Sequence, residues 1–322
     1  MVAGPVGSAE ERMLKSLRQV AGGRLGEPSG QFGNCPAVSD IPHDTPASGR
    51  SGGGSAQHPP LTGAPPPASS LAAPEADAFY TESLRLLDQT GIPFLVAGTF
   101  AVNCYTGINR PTKDLDIFCK PGDFPRILLR FRELGYETEI EDERWLAKVR
   151  RGACFFDVIF ASAAGVVSVS DHWFEESHPA ELYGMRVLLT PPTELIWSKA
   201  LLQDRHRYDG ADIAHLILRQ HERVDWKRLL TYMEQYWEVL LIHLLNFRFI
   251  YPSERHVIPR WLLDELLLRI REHADLPPSQ IKVCRGRLLS PYDYKVDVAE
   301  WGFADMGGPT PPPGKPSKQE GG

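Results

Sequence analysis

The chain has 322 residues and a formal net charge of −6, from 35 Lys and Arg against 41 Asp and Glu. A mildly acidic chain does not coat nucleic acid through its overall field, although a local basic groove remains compatible with it. No apolar run reaches the ~18 residues of a membrane span, and the N-terminus lacks the apolar stretch of a secretory signal. These readings predict a cytoplasmic protein with no membrane partner. The five cysteines, Cys35, Cys104, Cys119, Cys154 and Cys284, form no CxxC pair and are odd in number. That argues against a disulfide framework or zinc cage and fits a reducing compartment; each reads as a small buried hydrophobe.

In chain order, residues 8–20 form a possible short amphipathic helix, with Ser8 and Glu11 as a capping box and Met13, Leu14, Leu17 and Val20 on one face. The rest of the arm to residue 76 is rich in Gly and Pro and poor in large apolar side chains. It cannot bury enough surface to offset chain entropy and is expected to be disordered. The tail 306–322 has the same character.

The folded body begins at Ala76. Phe79, Leu84, Leu86 and Leu87 have helical spacing over 77–89, and Gly91-Ile92-Pro93 ends that helix. Phe94–Ala97 is a short buried strand, Gly98-Thr99 a turn, Phe100–Tyr105 a helix, and 106–113 a polar loop. Leu115–Cys119 reads as a strand and Asp123–Leu134 as a helix. Three strands follow, Tyr136–Ile140, Trp145–Arg150 and Cys154–Ala161, the last two joined by a turn at Arg151-Gly152. Met185–Leu189 is one more strand. Helices then span roughly 193–203, 210–220, 225–247 and 257–273. The expected class is α+β (α/β): a domain of strands and helices over 77–190, followed by a helical domain over 191–305.

The segment 94–119, FLVAGTFAVNCYTGINRPTKDLDIFC, carries chemistry. A buried strand ends at Gly98, where no Cβ obstructs the backbone, and Thr99 brings a hydroxyl to a helix start. Free N–H groups and the helix dipole there favour an anion such as phosphate. Asp114 and Asp116 stand two apart, so a strand presents both on one face. Adjacent carboxylates repel unless a cation sits between them, and their hard oxygens suit Mg²⁺. Asp157 is the sole charge in the run CFFDVIFA, a costly position unless it is paired or metal-bound. Three such acids could hold two metal ions about 3.5–4 Å apart.

Gly98-Thr99-x-Ala101-Val102, then Asp114-Leu115-Asp116-Ile117-Phe118, then a single Asp157 in a later strand, resembles the polymerase-β-like nucleotidyltransferase superfamily. The nearest resemblance is to the small bacterial nucleotidyltransferases, including those related to abortive-infection toxins. The family's usual Gly-Ser is Gly-Thr here, which keeps the hydroxyl. The resemblance implies a mixed sheet with flanking helices, and transfer of a nucleoside monophosphate from an NTP to a hydroxyl with Mg²⁺. Asp114 and Asp116 would ligate both ions, Asp157 would help activate the nucleophile, and Gly98 and Thr99 would hold the triphosphate. It also implies a triphosphate ligand in Lys199, the alternative being a snorkelling surface Lys. The acceptor, whether protein, tRNA or small molecule, is not legible. A non-catalytic nucleotide-binding or interaction protein on the same scaffold is the alternative function.

Other charges have two readings each. Lys113 or Arg110 meets phosphate or balances the carboxylates, or both are solvated loop charges. Lys148 and Arg150 share a strand face, which binds an acceptor or is merely solvated. Asp209 is expected to cap a helix with Asp212 in its first turn, and Arg205 and Arg207 are placed to pair with these acids. Trp226, Tyr232, Tyr236 and Trp237 read as core.

Overall fold

The computed structural model describes residues 74–112, 114–161 and 168–307. The 8–20 helix, the Gly/Pro-rich arm, Lys113 and nearly all of the tail lie outside these residues.

Helix α1 (Pro74–Gln89) starts on two acids, Glu75 and Asp77, which suit the positive end of its dipole. It buries Phe79, Tyr80, Leu84 and Leu87. Strand β1 (Leu95–Val96) leads straight into α2 (Gly98–Thr106), and Gly107, in the left-handed conformation, closes that helix. Then come β2 (Leu115–Phe118), α3 (Phe124–Glu133), β3 (Glu137–Asp142), β4 (Leu146–Arg151) and β5 (Cys154–Ile159). A short α4 (Asp171–Glu175) precedes the hairpin of β6 (His178–Leu182) and β7 (Met185–Leu189).

The seven strands form one mixed sheet in the order β3-β4-β5-β2-β1-β7-β6. β2 runs parallel to β5, and β1 parallel to β7; the other pairings are antiparallel. The central strands are apolar on the hidden face, with Leu115, Ile117, Phe156 and Val158 fully buried. Phe131 and Phe79 pack on Phe156 from the flanking helices, with ring centroids 5.1 and 6.3 Å away. The outer strand β3 exposes Glu137 and Glu139, charges that discourage edge-to-edge pairing.

The helical part comprises α5 (Pro192–Ala200), α6 (Gly210–Gln220), α7 (Trp226–Tyr232), α8 (Trp237–Ile250) and α9 (Arg260–Ala274). It shares one hydrophobic core with the sheet. Tyr105 Oη on α2 donates to the Thr190 carbonyl (2.9 Å), and Gln220 Nε2 on α6 donates to the Tyr105 carbonyl (2.6 Å). A C-terminal segment adds β8 (Val283–Cys284), α10 (Lys295–Ala299) and β9 (Ala304–Asp305), with β8 and β9 parallel.

The mixed sheet and helical second half match the class expected from sequence. Three local readings change. The single helix expected over 225–247 is two, broken by a 3-10 turn at Glu234–Tyr236 behind fully buried Met233. β6 and α4 escaped notice because β6 carries Pro179, a residue suited to an edge strand. Its hairpin turn is Tyr183-Gly184, both with positive φ (53° and 71°), in place of the usual Asn-Gly signal. Of the cysteines read as buried, Cys119 is buried but Cys104 and Cys154 only partly so.

Phe156 is fully buried where the first helix, the third helix and the sheet meet. Phe156→Ala should cost about 3–5 kcal/mol of unfolding free energy. Urea titration with an unchanged m-value would read this directly, and a loss under 1 kcal/mol, on the order of a surface change, would place Phe156 outside the core.

Candidate functional site

The site is set by strand register. Asp116 on β2 lies directly beside Asp157 on parallel β5, and Asp157 lies opposite Lys148 on antiparallel β4. Asp114 stands just before β2, on the same face as Asp116. One oxygen from each of Asp114, Asp116 and Asp157 lies within 4.8 Å of the others. Thr112 Oγ1 donates to Asp114 Oδ1 (3.0 Å) and fixes that carboxyl from behind.

Burial and its like-charged neighbours, Asp114 and then Asp157, push the Asp116 carboxyl up to about 7. Asp157, 9% exposed, is also raised by burial, against the opposing pull of the Lys148 hydrogen bond. An acid cluster in this state is short of positive charge. Its donors are all carboxylate oxygens, the set that a hard divalent cation prefers. The residues therefore fit a metal.

Gly98 is required by two independent facts. Its φ is +55°, and a Cβ built there would overlap Asp116 Oδ2. The helix start thus touches the carboxylate row, which no larger residue permits. Ala97 occupies the N-cap of α2 without a side-chain cap, so the first N–H groups of the helix are left for an anion. Thr99 Oγ1 is within 3.3 Å of Arg110 Nη2.

Lys148 is mostly buried. Its ammonium sits 2.8 Å from Asp157 Oδ1 and 3.1 Å from Glu141. The solvated-face reading of Lys148 is therefore replaced by a salt bridge to the third carboxylate. Arg150 sits farther along β4, 3.8 Å from Glu139 and 5.0 Å from the Phe155 ring centroid.

Lys199 is no surface lysine. It is 5% exposed, and its ammonium lies 2.7 Å from Asp209 and 2.9 Å from Asp212. Asp209 does occupy the N-cap position of α6, but its side chain caps nothing and turns to Lys199. Asp212 also takes both terminal nitrogens of Arg110, at 2.6 and 3.0 Å. Arg207 does approach Asp209 (3.7 Å), whereas Arg205 pairs with Asp293. A chain of charges thus runs from Thr99 through Arg110, Asp212 and Lys199 to Asp209. Gly98, Asp116, Asp157 and Lys199 line a single cleft together with Phe118, Trp145, Trp197, Arg207 and Leu288. Sequence reasoning missed Thr112, the Arg110–Asp212 pair and Leu288. The Arg110–Asp212 pair spans 102 positions and leaves no local signal.

No family model matches the chain, and no curated protein matches its sequence. Among solved structures it is similar to an antigenic nucleotidyltransferase-like protein from Paracoccidioides brasiliensis, at 16% identity and TM-score 0.36, over 58% of this chain and 93% of that one. It is similar to ANT(2″)-Ia in complex with adenylyl-2″-tobramycin, at 14% identity and TM-score 0.34, over 54% and 98%. It is also similar to lincomycin-bound LnuA, a lincosamide antibiotic adenylyltransferase, at 15% identity and TM-score 0.32, over 44% and 95%.

The raised Asp116 carboxyl makes a stability prediction. Between about pH 4 and pH 7 the folded chain retains a proton that the unfolded chain has released, so stability falls as pH rises through that window. Asp116→Asn removes this loss. The metal-free variant should melt a few degrees above the native chain near pH 8, with the gap closing below about pH 4. A native chain as stable as the variant at both pH values would remove the crowding argument.

Proposed function

We propose that this chain is a metal-dependent nucleotidyltransferase that moves a nucleoside monophosphate from an NTP to a hydroxyl acceptor. The observation that carries the reading is the convergence of Asp114, Asp116 and Asp157 within 4.8 Å, beside the uncapped start of the helix that begins at Gly98. Asp114, Asp116 and Asp157 would hold Mg²⁺, with room in the donor set for two ions. Bound there, the metal supplies charge neutralisation for the triphosphate and its leaving group.

The chain's own groups do the rest. The N–H groups at Gly98 and Thr99 hold triphosphate oxygens, and the Thr99 hydroxyl adds a contact. Lys199 turns from Asp209 and Asp212 toward the outer phosphates. The acceptor oxygen bonds to the α-phosphorus while the bond from that phosphorus to the bridging oxygen breaks and pyrophosphate leaves. The acceptor's proton passes to the Asp157 carboxylate, which Lys148 orients. Lys113, which precedes Asp114 in the sequence, would be a further phosphate contact in this reading. A small-molecule, RNA or protein hydroxyl would serve equally as acceptor.

The test is incubation with each α-labelled NTP, Mg²⁺ and a cell extract, followed by detection of labelled product. Asp114→Ala and Asp116→Ala should each abolish labelling without unfolding the chain. A rise in melting temperature with NTP and Mg²⁺ but no labelled product would mark a binding protein instead. Asp157→Asn should keep NTP affinity within about threefold and lose turnover by at least 10². Equal loss of both would make Asp157 a wall of the pocket. Lys199→Ala should weaken NTP binding by about one to two orders of magnitude and the monophosphate far less. Unchanged affinity for both ligands would remove Lys199 from the phosphate site.

A further inference from the structure

One wall of the cleft comes from far along the chain. Leu288 ends a 3-10 turn, Gly286–Leu288, and faces the same cleft as Asp116, Trp145 and Trp197. The segment that carries it is fastened to the loop after α5. The Gln203 N–H donates to the Leu289 carbonyl (3.3 Å). The Arg205 N–H donates to Asp293 Oδ2 (3.2 Å), and the Arg205 guanidinium reaches Asp293 Oδ1 (3.1 Å). Ser290, 1% exposed, donates its hydroxyl to the same Asp293 carboxylate (2.9 Å). Farther out, Arg285 bonds the Gln235 carbonyl, and Arg287 pairs with Asp305.

The loop gripped in this way carries Arg207 and Asp209. Asp209 in turn holds Lys199. The loop is therefore clasped on one side by Lys199 and on the other by Asp293. The carboxylates and the start of α2 account for the metal and phosphate end of the cleft. The same cleft is lined by Phe118, Trp145, Trp197 and Leu288, and on the sheet the row through Phe118 and Ile159 lies two residues along from the row through Asp116 and Asp157. The nucleobase is the part of an NTP whose faces are apolar enough to prefer such a wall.

We propose that residues 283–306 form a strap that completes the nucleotide site. Asp293 is a positioning residue that holds the 203–209 loop, and Leu288 is the contact that packs on the nucleobase. This rests on the nucleotidyltransferase reading above. Two ligands separate the base contact from the phosphate contacts: a non-hydrolysable NTP analogue and inorganic tripolyphosphate, each titrated calorimetrically with Mg²⁺. Leu288→Ala should weaken the NTP analogue about tenfold and leave tripolyphosphate unchanged, and Leu288→Met should restore native affinity. Asp293→Ala should weaken both ligands and speed amide exchange across 203–209 by at least about tenfold, since it frees a bonded N–H and the loop's anchor. Equal effects of Leu288→Ala on the two ligands, or none on either, would overturn the base contact. Unchanged exchange in Asp293→Ala would overturn the strap. If the native chain binds neither ligand, the nucleotide reading and the base contact fall together, while the exchange comparison, which needs no ligand, still decides whether the strap holds the loop.

Discussion

The parallel pairing of β2 with β5 forces two carboxylates, Asp116 and Asp157, into direct lateral register, with Asp114 beside them. Water cannot relax this repulsion freely, because the row lies on a sheet whose other face is core. Most other features of the site answer to that crowding. Gly98 lacks a side chain because Asp116 Oδ2 lies where a Cβ would be. Lys148 is drawn in against Asp157 from the next strand. Burial first, and then the neighbouring carboxylates Asp114 and Asp157, push the Asp116 carboxyl up to about 7.

Two charge networks flank the row, and they differ in stiffness. Lys148, Asp157 and Glu141 belong to sheet strands whose spacing is set by backbone hydrogen bonds, so their geometry is fixed. Lys199, Asp209, Asp212 and Arg110 belong to α5, α6 and two loops. Removing either partner of a buried pair strands the other charge, at a cost of about 3–5 kcal/mol. The second network therefore serves as structure. Asp212 is shared between Lys199 and Arg110, and Asp209 between Lys199 and Arg207.

Much of this was legible in the chain. The strand alternation of Asp114, Asp116 and Phe118, and the lone Asp157 in an apolar run, are local patterns, and the carboxylate cluster followed from them. What stayed hidden was carried by pairings across long separations or by two-residue strands. Arg110 with Asp212 and Arg205 with Asp293 have no period to read. Asp209 misled for a physical reason: at an N-cap position a carboxylate usually caps, but a buried ammonium 2.7 Å away is a stronger partner than a backbone N–H. The 225–247 stretch misled because its apolar period continues unbroken through a 3-10 turn.

The same alternation that aligns the acids also orders the cleft along the strands. On β2 the site face reads Asp114, Asp116, Phe118, and on β5 it reads Phe155, Asp157, Ile159. On β4, Lys148 and Leu146 lie opposite Asp157 and Ile159. Across the sheet these positions form rows: a charged row through Lys148, Asp157 and Asp116, and beyond it an apolar row through Leu146, Ile159 and Phe118. Strand rise separates successive same-face positions by about 6.5–7 Å. The sheet thus fixes the order of its charged and apolar rows along the strand axis before any loop contributes to the cleft.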